Sequence, residues 1–250
     1  MRLRTPVQIR RGIERHLRSF WYQLGKGVTC CYCGWSGSKF LPAGQKRVPN
    51  RLCPRCGSLQ RCRMLYLYIM QHTPLLRKPV RLLDIAPKRC FTQFCRRLPN
   101  ITYISSDLMT NGATVFSDLT RMGMASVSFD IIVCLHVIEH ILDDRAAFAE
   151  IGRLLKPDGF GLVMVPIEGQ KTFEDPDACP EDYDRLYGQH DHVRRCGMDI
   201  VERMQSAGLR VEALDMFEVF SPDMIRTYAL DGDDRYFFCV RKDDTDSRCG

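Results

Sequence analysis

Apolar and polar positions follow two regimes along this chain. From Val80 onward, short unbroken apolar runs are separated by polar turns bearing glycine or proline; before it, apolar runs are scarce and cysteines cluster. The strongest run is Ile131-Ile132-Val133-Cys134-Leu135, approached through Ser128-Phe129-Asp130 and followed at once by His136, Glu139 and His140. An unbroken run rich in β-branched residues predicts a strand buried on both faces, the kind found inside parallel sheets. Val80 to Ile85 (VRLLDI), Ile101 to Ser105 (ITYIS) and Phe160 to Pro166 (FGLVMVP) predict further strands of this kind, and Leu209 to Met216 and Arg235 to Lys242 a closing antiparallel pair. Between them, helical spacing predicts helices through Cys90–Leu98, through Arg145–Lys156 with Ala146, Phe148, Ile151, Leu154 and Leu155 on its apolar faces, and through 197–208 with Ile200, Val201 and Met204 inward. Strands alternating with helices predict an α/β fold around a mostly parallel sheet.

In such sheets, ligands sit outside the carboxyl ends of the strands, so the polar residues there are candidate chemistry. Asp84 and Asp107 end successive strands 23 residues apart, the spacing at which a nucleotide-binding βαβ unit places an acid on ribose hydroxyls. His136, Glu139 and His140 crowd the end of the central run.

Before Val80 the pattern changes character. Ile13, Leu17, Phe20 or Trp21, and Leu24 recur at helical spacing among Arg10, Arg11, Arg15 and Arg18, which predicts a basic amphipathic helix over residues 1–27. It is compatible with docking on its own domain, with a membrane interface and with a targeting presequence. Two C-x2-C-Gly turns follow, Cys30–Gly34 and Cys53–Gly57, with 19 residues between Cys33 and Cys53. Two thiolates on a tight turn present half a tetrahedron, and a second copy completes it. Cys30, Cys33, Cys53 and Cys56 therefore predict a structural Zn2+ ribbon over 28–63, in which the metal replaces a core too small to fold alone. A helix patterned over Gln60–His72, stopped by Pro74, makes 64–78 the linker to a main domain over 79–242, and the tail 243–250 has a disordered composition.

Charge sharpens this division. Residues 1–63 hold 14 Lys/Arg against Glu14 alone, a balance of +13, and the rest of the chain carries −7. Such a head suits an anionic partner, whether nucleic acid, a phosphorylated glycan or a membrane surface, or is simply a solvated face. Most of the 13 cysteines lie singly and their number is odd, which with the absence of a signal-peptide apolar stretch predicts a reduced, cytoplasmic protein, peripheral at a membrane if the basic helix serves that end. The oligomeric state is left open.

LLDIAP, YISSDL, the Asp118-Leu119 segment, SFDIIVCLHVIEHILDD and LLKPDGFGLVMVP, in this order, resemble the successive motifs of class I S-adenosylmethionine-dependent methyltransferases, over about Val80 to Leu214. The resemblance is closest to the type 11-like group and implies a seven-stranded Rossmann-like sheet, mostly parallel, with its last strand antiparallel. It also implies roles. Asp84 with the turn Ala86-Pro87 would lie beside the methionine moiety, Asp107 with Leu108 at the ribose, Asp118 with Leu119 at the adenine, and Leu135 with His136 below the sulfonium. The chain departs from the family at the first loop, where Ala86-Pro87-Lys88 replaces a glycine-rich turn; proline there removes a donor and fixes φ. A non-catalytic relative that binds without turnover is the alternative that this departure leaves beside the enzyme.

Residues 167–196 form an acidic, proline-bearing stretch without periodicity, which predicts a lid at the substrate mouth. It leads into His190-Asp191-His192. His190, His192, Glu139 and His140 are the candidate acid–base groups, since histidine titrates near neutrality; a structural tie from a histidine to Glu139, or a second metal on His190, His192 and Glu139, are competing readings. An insertion beginning at Ser221-Pro222-Asp223 is placed near the substrate mouth. Together these features predict methyl transfer to an oxygen or nitrogen of a small molecule or glycan, lipid-linked acceptors included, with nucleic acid gripped by the basic ribbon as the alternative acceptor.

Overall fold

The computed structural model describes residues 25–44, 47–73, 77–109, 112–232 and 234–243. Nearly all of the basic helix assigned to 1–27, and residues 244–250 of the tail, lie outside them. The chain forms two compact units: residues up to Gln71 together with Phe220–Asp231, and His72–Val219 together with residues 232 onward.

The smaller unit is built on two antiparallel pairs. Strand β1 (Val28–Thr29) pairs with β2 (Ser36–Gly37), and β3 (Leu41–Ala43) with β4 (Val48–Leu52). Helix α1 (Gln60–His72) follows and buries Cys62, Met64, Leu65, Leu67 and Ile69. Another apolar cluster gathers Val28, Cys30, Trp35, Phe40, Cys53 and Ala229; a unit this small is marginal without a further tie.

One tie is Arg63, which is fully buried. Its guanidinium donates to the carbonyls of Tyr228 (2.7 Å), Arg51 (3.0 Å), Ser58 (3.0 Å) and Ala229 (3.0 Å), and lies 3.9 Å over the Phe40 ring. The sequence places the segment after Ser221 at a substrate mouth; in the structure it belongs to this smaller unit, because Arg63 and Gln60 hold the carbonyls that follow helix α7 (Pro222–Tyr228).

The larger unit is a seven-stranded sheet. In chain order its elements are β5 (Val80–Ile85), α2 (Arg89–Cys95), β6 (Ile101–Asp107), β7 (Val115–Phe116), β8 (Phe129–Leu135), α3 (Asp144–Leu154), β9 (Leu155–Met164), α4 (Tyr183–Tyr187), α5 (Ile200–Ser206), β10 (Leu209–Asp215), α6 (Met216–Val219) and β11 (Tyr236–Lys242). The strand order is β7-β6-β5-β8-β9-β11-β10, parallel except for β11, which runs against both neighbours. The central strand is buried along nearly its whole length, as its unbroken apolar run requires.

Helix α3 starts where Asp143 accepts a 2.9 Å bond from the Ala146 amide, a side-chain N-cap. Its Ala147, Phe148, Ile151 and Leu154 form one buried stripe; burying each large side chain contributes about 1.5–3 kcal/mol. The helix ends two residues before the predicted Lys156, and the chain enters β9 directly. Phe129 pairs with Leu155 but Ile131 with Phe160, so Lys156–Gly159 is looped out of the ladder as a bulge. No helix among the described residues is long and apolar enough to cross a membrane.

Candidate functional site

The sheet's carboxyl edge opens onto a cavity of 610 Å³. The first loop after β5 borders it through Ala86, whose backbone is left-handed (φ 53°) and whose amide donates to the Ser106 carbonyl at 2.8 Å. That conformation favours glycine, so alanine holds this turn under strain. Pro87 is not on the wall, and Lys88 is.

Asp107, at the tip of β6, and Asp118, beyond β7, both line the cavity with Leu108 and Leu119. Each carboxylate closes a turn of its own loop: Asp107 Oδ1 accepts from the Met109 amide (2.7 Å), and Asp118 Oδ1 from the amide and hydroxyl of Thr120 (2.8 Å each). These bonds fix each acid's direction. Asp84 is placed differently: it is buried beneath the edge and accepts a 2.6 Å bond from the Tyr103 hydroxyl on β6. Burial, then the Asp84 charge, pushes the Tyr103 phenol well above its ordinary range. Leu135 closes β8 inside the sheet, and the chain then turns left-handed at His136 (φ 56°), which puts His136 and Val137 on the cavity wall.

His136 bridges two acids, with Nδ1 3.1 Å from Glu139 Oε1 and Nε2 3.0 Å from Asp234 Oδ1. Glu139 is fully buried. Burial alone would raise its carboxyl, but the His136 ring beside it, a backbone amide and His140 together outweigh burial and hold it below the ordinary range.

His140 lines the cavity with His190 and Asp191, and its Nδ1 lies 2.9 Å from the Asp191 carbonyl. His192 is behind it, the two rings 4.7 Å apart edge to face; burial pulls the His192 imidazole below its ordinary value. One ligand atom each from Glu139, His140 and His192 lies within 4.8 Å of the others.

Residues 136–140 and 190–192 are far apart in sequence, and Arg194 brings them together. Its buried guanidinium donates to the carbonyls of Ile138 (3.1 Å), Ile141 (2.6 Å) and Leu142 (2.9 Å), and to Glu174 Oε2 (2.9 Å). The Val193 amide adds a 2.9 Å bond to the Glu139 carbonyl. The acidic stretch before it is strapped down as well: Asp199 accepts from the amide and hydroxyl of Thr172 at 2.7 Å each, and Arg203 holds both Asp144 and Glu174. Ser106, Met122, Ile141 and Asp191 on the wall carried no signal in the sequence beyond their nearness to the motifs.

The smaller unit has its own cluster. In both C-x2-C turns the glycine amide bonds the first cysteine's carbonyl, Gly34 to Cys30 at 2.9 Å and Gly57 to Cys53 at 3.0 Å, with both glycines left-handed (φ 68° and 73°). The two knuckles bring Cys30 and Cys56 sulfurs to 3.5 Å and those of Cys33 and Cys53 to 3.7 Å. Four thiolates on one Zn2+ stand about 3.8 Å apart, so the donor set fits that ion. Cys53 and Cys56, by sharing hydrogen bonds with the Cys30 sulfur, hold its thiol far below the ordinary range.

Residues 81–163 match a family model described as a methyltransferase domain. No curated protein sequence matches the chain significantly. Among solved structures, the [4+2]-cyclase SpnF is similar over 74% of this chain and 83% of its own, at 16% identity and a TM-score of 0.50. Phosphoethanolamine N-methyltransferase 2 of Haemonchus contortus, in complex with phosphomonomethylethanolamine and S-adenosylhomocysteine, matches 74% of this chain and 53% of its own, at 18% and 0.50. A SAM-dependent methyltransferase from Archaeoglobus fulgidus matches 75% and 96%, at 13% and 0.49. A cyclase and an N-methyltransferase on one fold illustrate that the sheet does not name the reaction.

Proposed function

We propose that the class I, S-adenosylmethionine-dependent methyltransferase domain of this chain methylates an oxygen or nitrogen nucleophile of a small molecule or saccharide, lipid-linked acceptors included. The observation that carries this reading is one 610 Å³ cavity whose wall holds the strand-tip acids Asp107 and Asp118 together with His136, His140 and His190. Bound there, S-adenosylmethionine supplies a methyl group already activated by its sulfonium. Asp107 would hold the ribose hydroxyls, and Asp118 with Leu119 the adenine; the left-handed turn at Ala86 puts the first loop on the same wall. His190, on the same wall, is the group assigned to accept the proton of the acceptor. Holding the acceptor in line supplies much of the remaining acceleration.

Electrostatics support this acceptor class. Asp107, Asp118 and Asp191 face the cavity against Lys88, and residues 167–184 carry seven acids and one lysine. A long polyanion would meet repulsion there, whereas neutral or cationic acceptors would not. In the smaller unit, Cys30, Cys33, Cys53 and Cys56 would hold one Zn2+ with no open position, a structural role.

Incubation with methyl-radiolabelled cofactor and fractionated cell extract tests the acceptor class. Label in glycan, lipid or small-molecule fractions is expected. Label confined to RNA would overturn the acceptor assignment, and cofactor binding without label in any fraction would leave a binding protein in its place.

A further inference from the structure

We propose that Glu139, His140 and His192 form a binding site for a first-row divalent cation beside the cofactor cavity. Ligand atoms on one such cation stand about 3–4 Å apart; here one atom from each residue lies within 4.8 Å of the others, so a closing of about 1 Å completes the set.

Three independent features point to an ion. The first is Glu139, which is fully buried and whose Oε2 has no hydrogen-bond partner among the described residues. An ionised carboxylate removed from water costs several kcal/mol unless a cation or donors compensate it, and His136 meets only Oε1, at 3.1 Å. The second is the setting of His140. Its Nδ1 sits 2.9 Å from the Asp191 carbonyl and 3.5 Å from Asp191 Oδ2, both of which only accept, so in the neutral ring Nδ1 carries the proton and Nε2 presents a lone pair. A metal-bound histidine is oriented in this way by a carbonyl behind it. The third is the scaffold. Arg194 and the Val193 amide fix residues 138–142 against 192–194 through bonds that use none of the proposed ligand atoms.

Two imidazoles and one carboxylate suit Mn2+ through Zn2+ better than Mg2+ or Ca2+, which prefer all-oxygen shells. Three protein ligands leave open positions, and His140 borders the cavity. The cation would therefore present an exchangeable position to an acceptor, favouring one that chelates through neighbouring hydroxyls, and would ease loss of the hydroxyl proton to His190. This use of the ion rests on the methyl-transfer reading; the site itself does not.

The test is electron paramagnetic resonance of Mn2+ titrated into the full chain loaded with zinc, since a four-thiolate site does not give up zinc to Mn2+, together with total metal analysis after dialysis against Zn2+. One Mn2+ bound per chain is expected, with 14N coupling from imidazole in its spin-echo spectrum, and two zinc per chain after dialysis. His192→Ala and Glu139→Gln should each weaken Mn2+ by at least about tenfold. Mn2+ that stays free while zinc stops at one per chain overturns the site. So does bound Mn2+ without 14N coupling, a result that needs no variant to fold. Calorimetry with S-adenosylmethionine separates the two claims: cation binding without cofactor binding would sink the methyl-transfer reading alone, and the reverse would sink the cation site alone.

Discussion

Each unit of this protein is pinned by a buried arginine, and the two arginines work in different surroundings. In the smaller unit Arg63 gives all four of its bonds to main-chain carbonyls. Burial pulls its guanidinium below the ordinary value, and the thiols of Cys30, Cys31, Cys62 and Cys53 oppose that pull. In the larger unit Arg194 also holds three carbonyls, but Glu174 at 2.9 Å and Asp144 at 3.6 Å balance its charge directly. The first pin therefore has only thiols nearby to offset its charge, two of them in the four-cysteine cluster, whereas the second has carboxylates of its own. A buried cation with its own carboxylates can organise a site; one that leans on thiolates ties its fold to the metal.

The comparison is most sharply tested by removing zinc. A strong chelator should unfold the smaller unit, because ribbon-type zinc binding contributes about 10 kcal/mol or more to folding, while the heat of S-adenosylmethionine binding at the larger unit persists. Trp35 fluorescence reports the first and calorimetry the second; joint loss of both would show the pins are not independent. Next in size are the arginines themselves. Arg63→Ala and Arg194→Ala each strand several buried acceptors, and each should cost about 3–5 kcal/mol in urea melts. Only Arg194→Ala should also weaken cofactor or cation binding, since Arg194 supplies three of the bonds that hold the 138–142 turn. The smallest effect is expected at the first loop. Ala86→Gly removes a left-handed penalty of about 1–2 kcal/mol against glycine's entropy of about 0.5–1 kcal/mol, a net gain of roughly half a kcal/mol with cofactor affinity kept. A loss of stability would mean that the Ala86 methyl packs more than the turn strains.

What could be read from the sequence follows the same divide. The four cysteines sit on two local turns, so their spacing alone describes their geometry. Asp107 was legible because it ends a patterned strand, whereas Asp118 was singled out only by the resemblance. Glu139, His140 and His192 converge through bonds such as those of Arg194, which cross more than fifty residues, and no periodicity records such a bond. The sequence likewise gave no sign that residues 220–231 join the cysteine-bearing unit, because the tie is a set of bare carbonyls with no side-chain pattern. β7, two residues long, is too short for a pattern, and the Lys156–Gly159 bulge reads as an ordinary turn.

The central claim is that Asp107 and its neighbours at the sheet edge hold the adenosyl part of the cofactor. Titration of S-adenosylmethionine into the wild-type chain and Asp107→Ala, by calorimetry, tests it most directly. One site per wild-type chain is expected, weakened in the variant by about 1.5–3 kcal/mol, or roughly 10- to 150-fold, with the far-ultraviolet dichroism unchanged. No heat with the wild type, or equal affinity in the two proteins, would contradict the account.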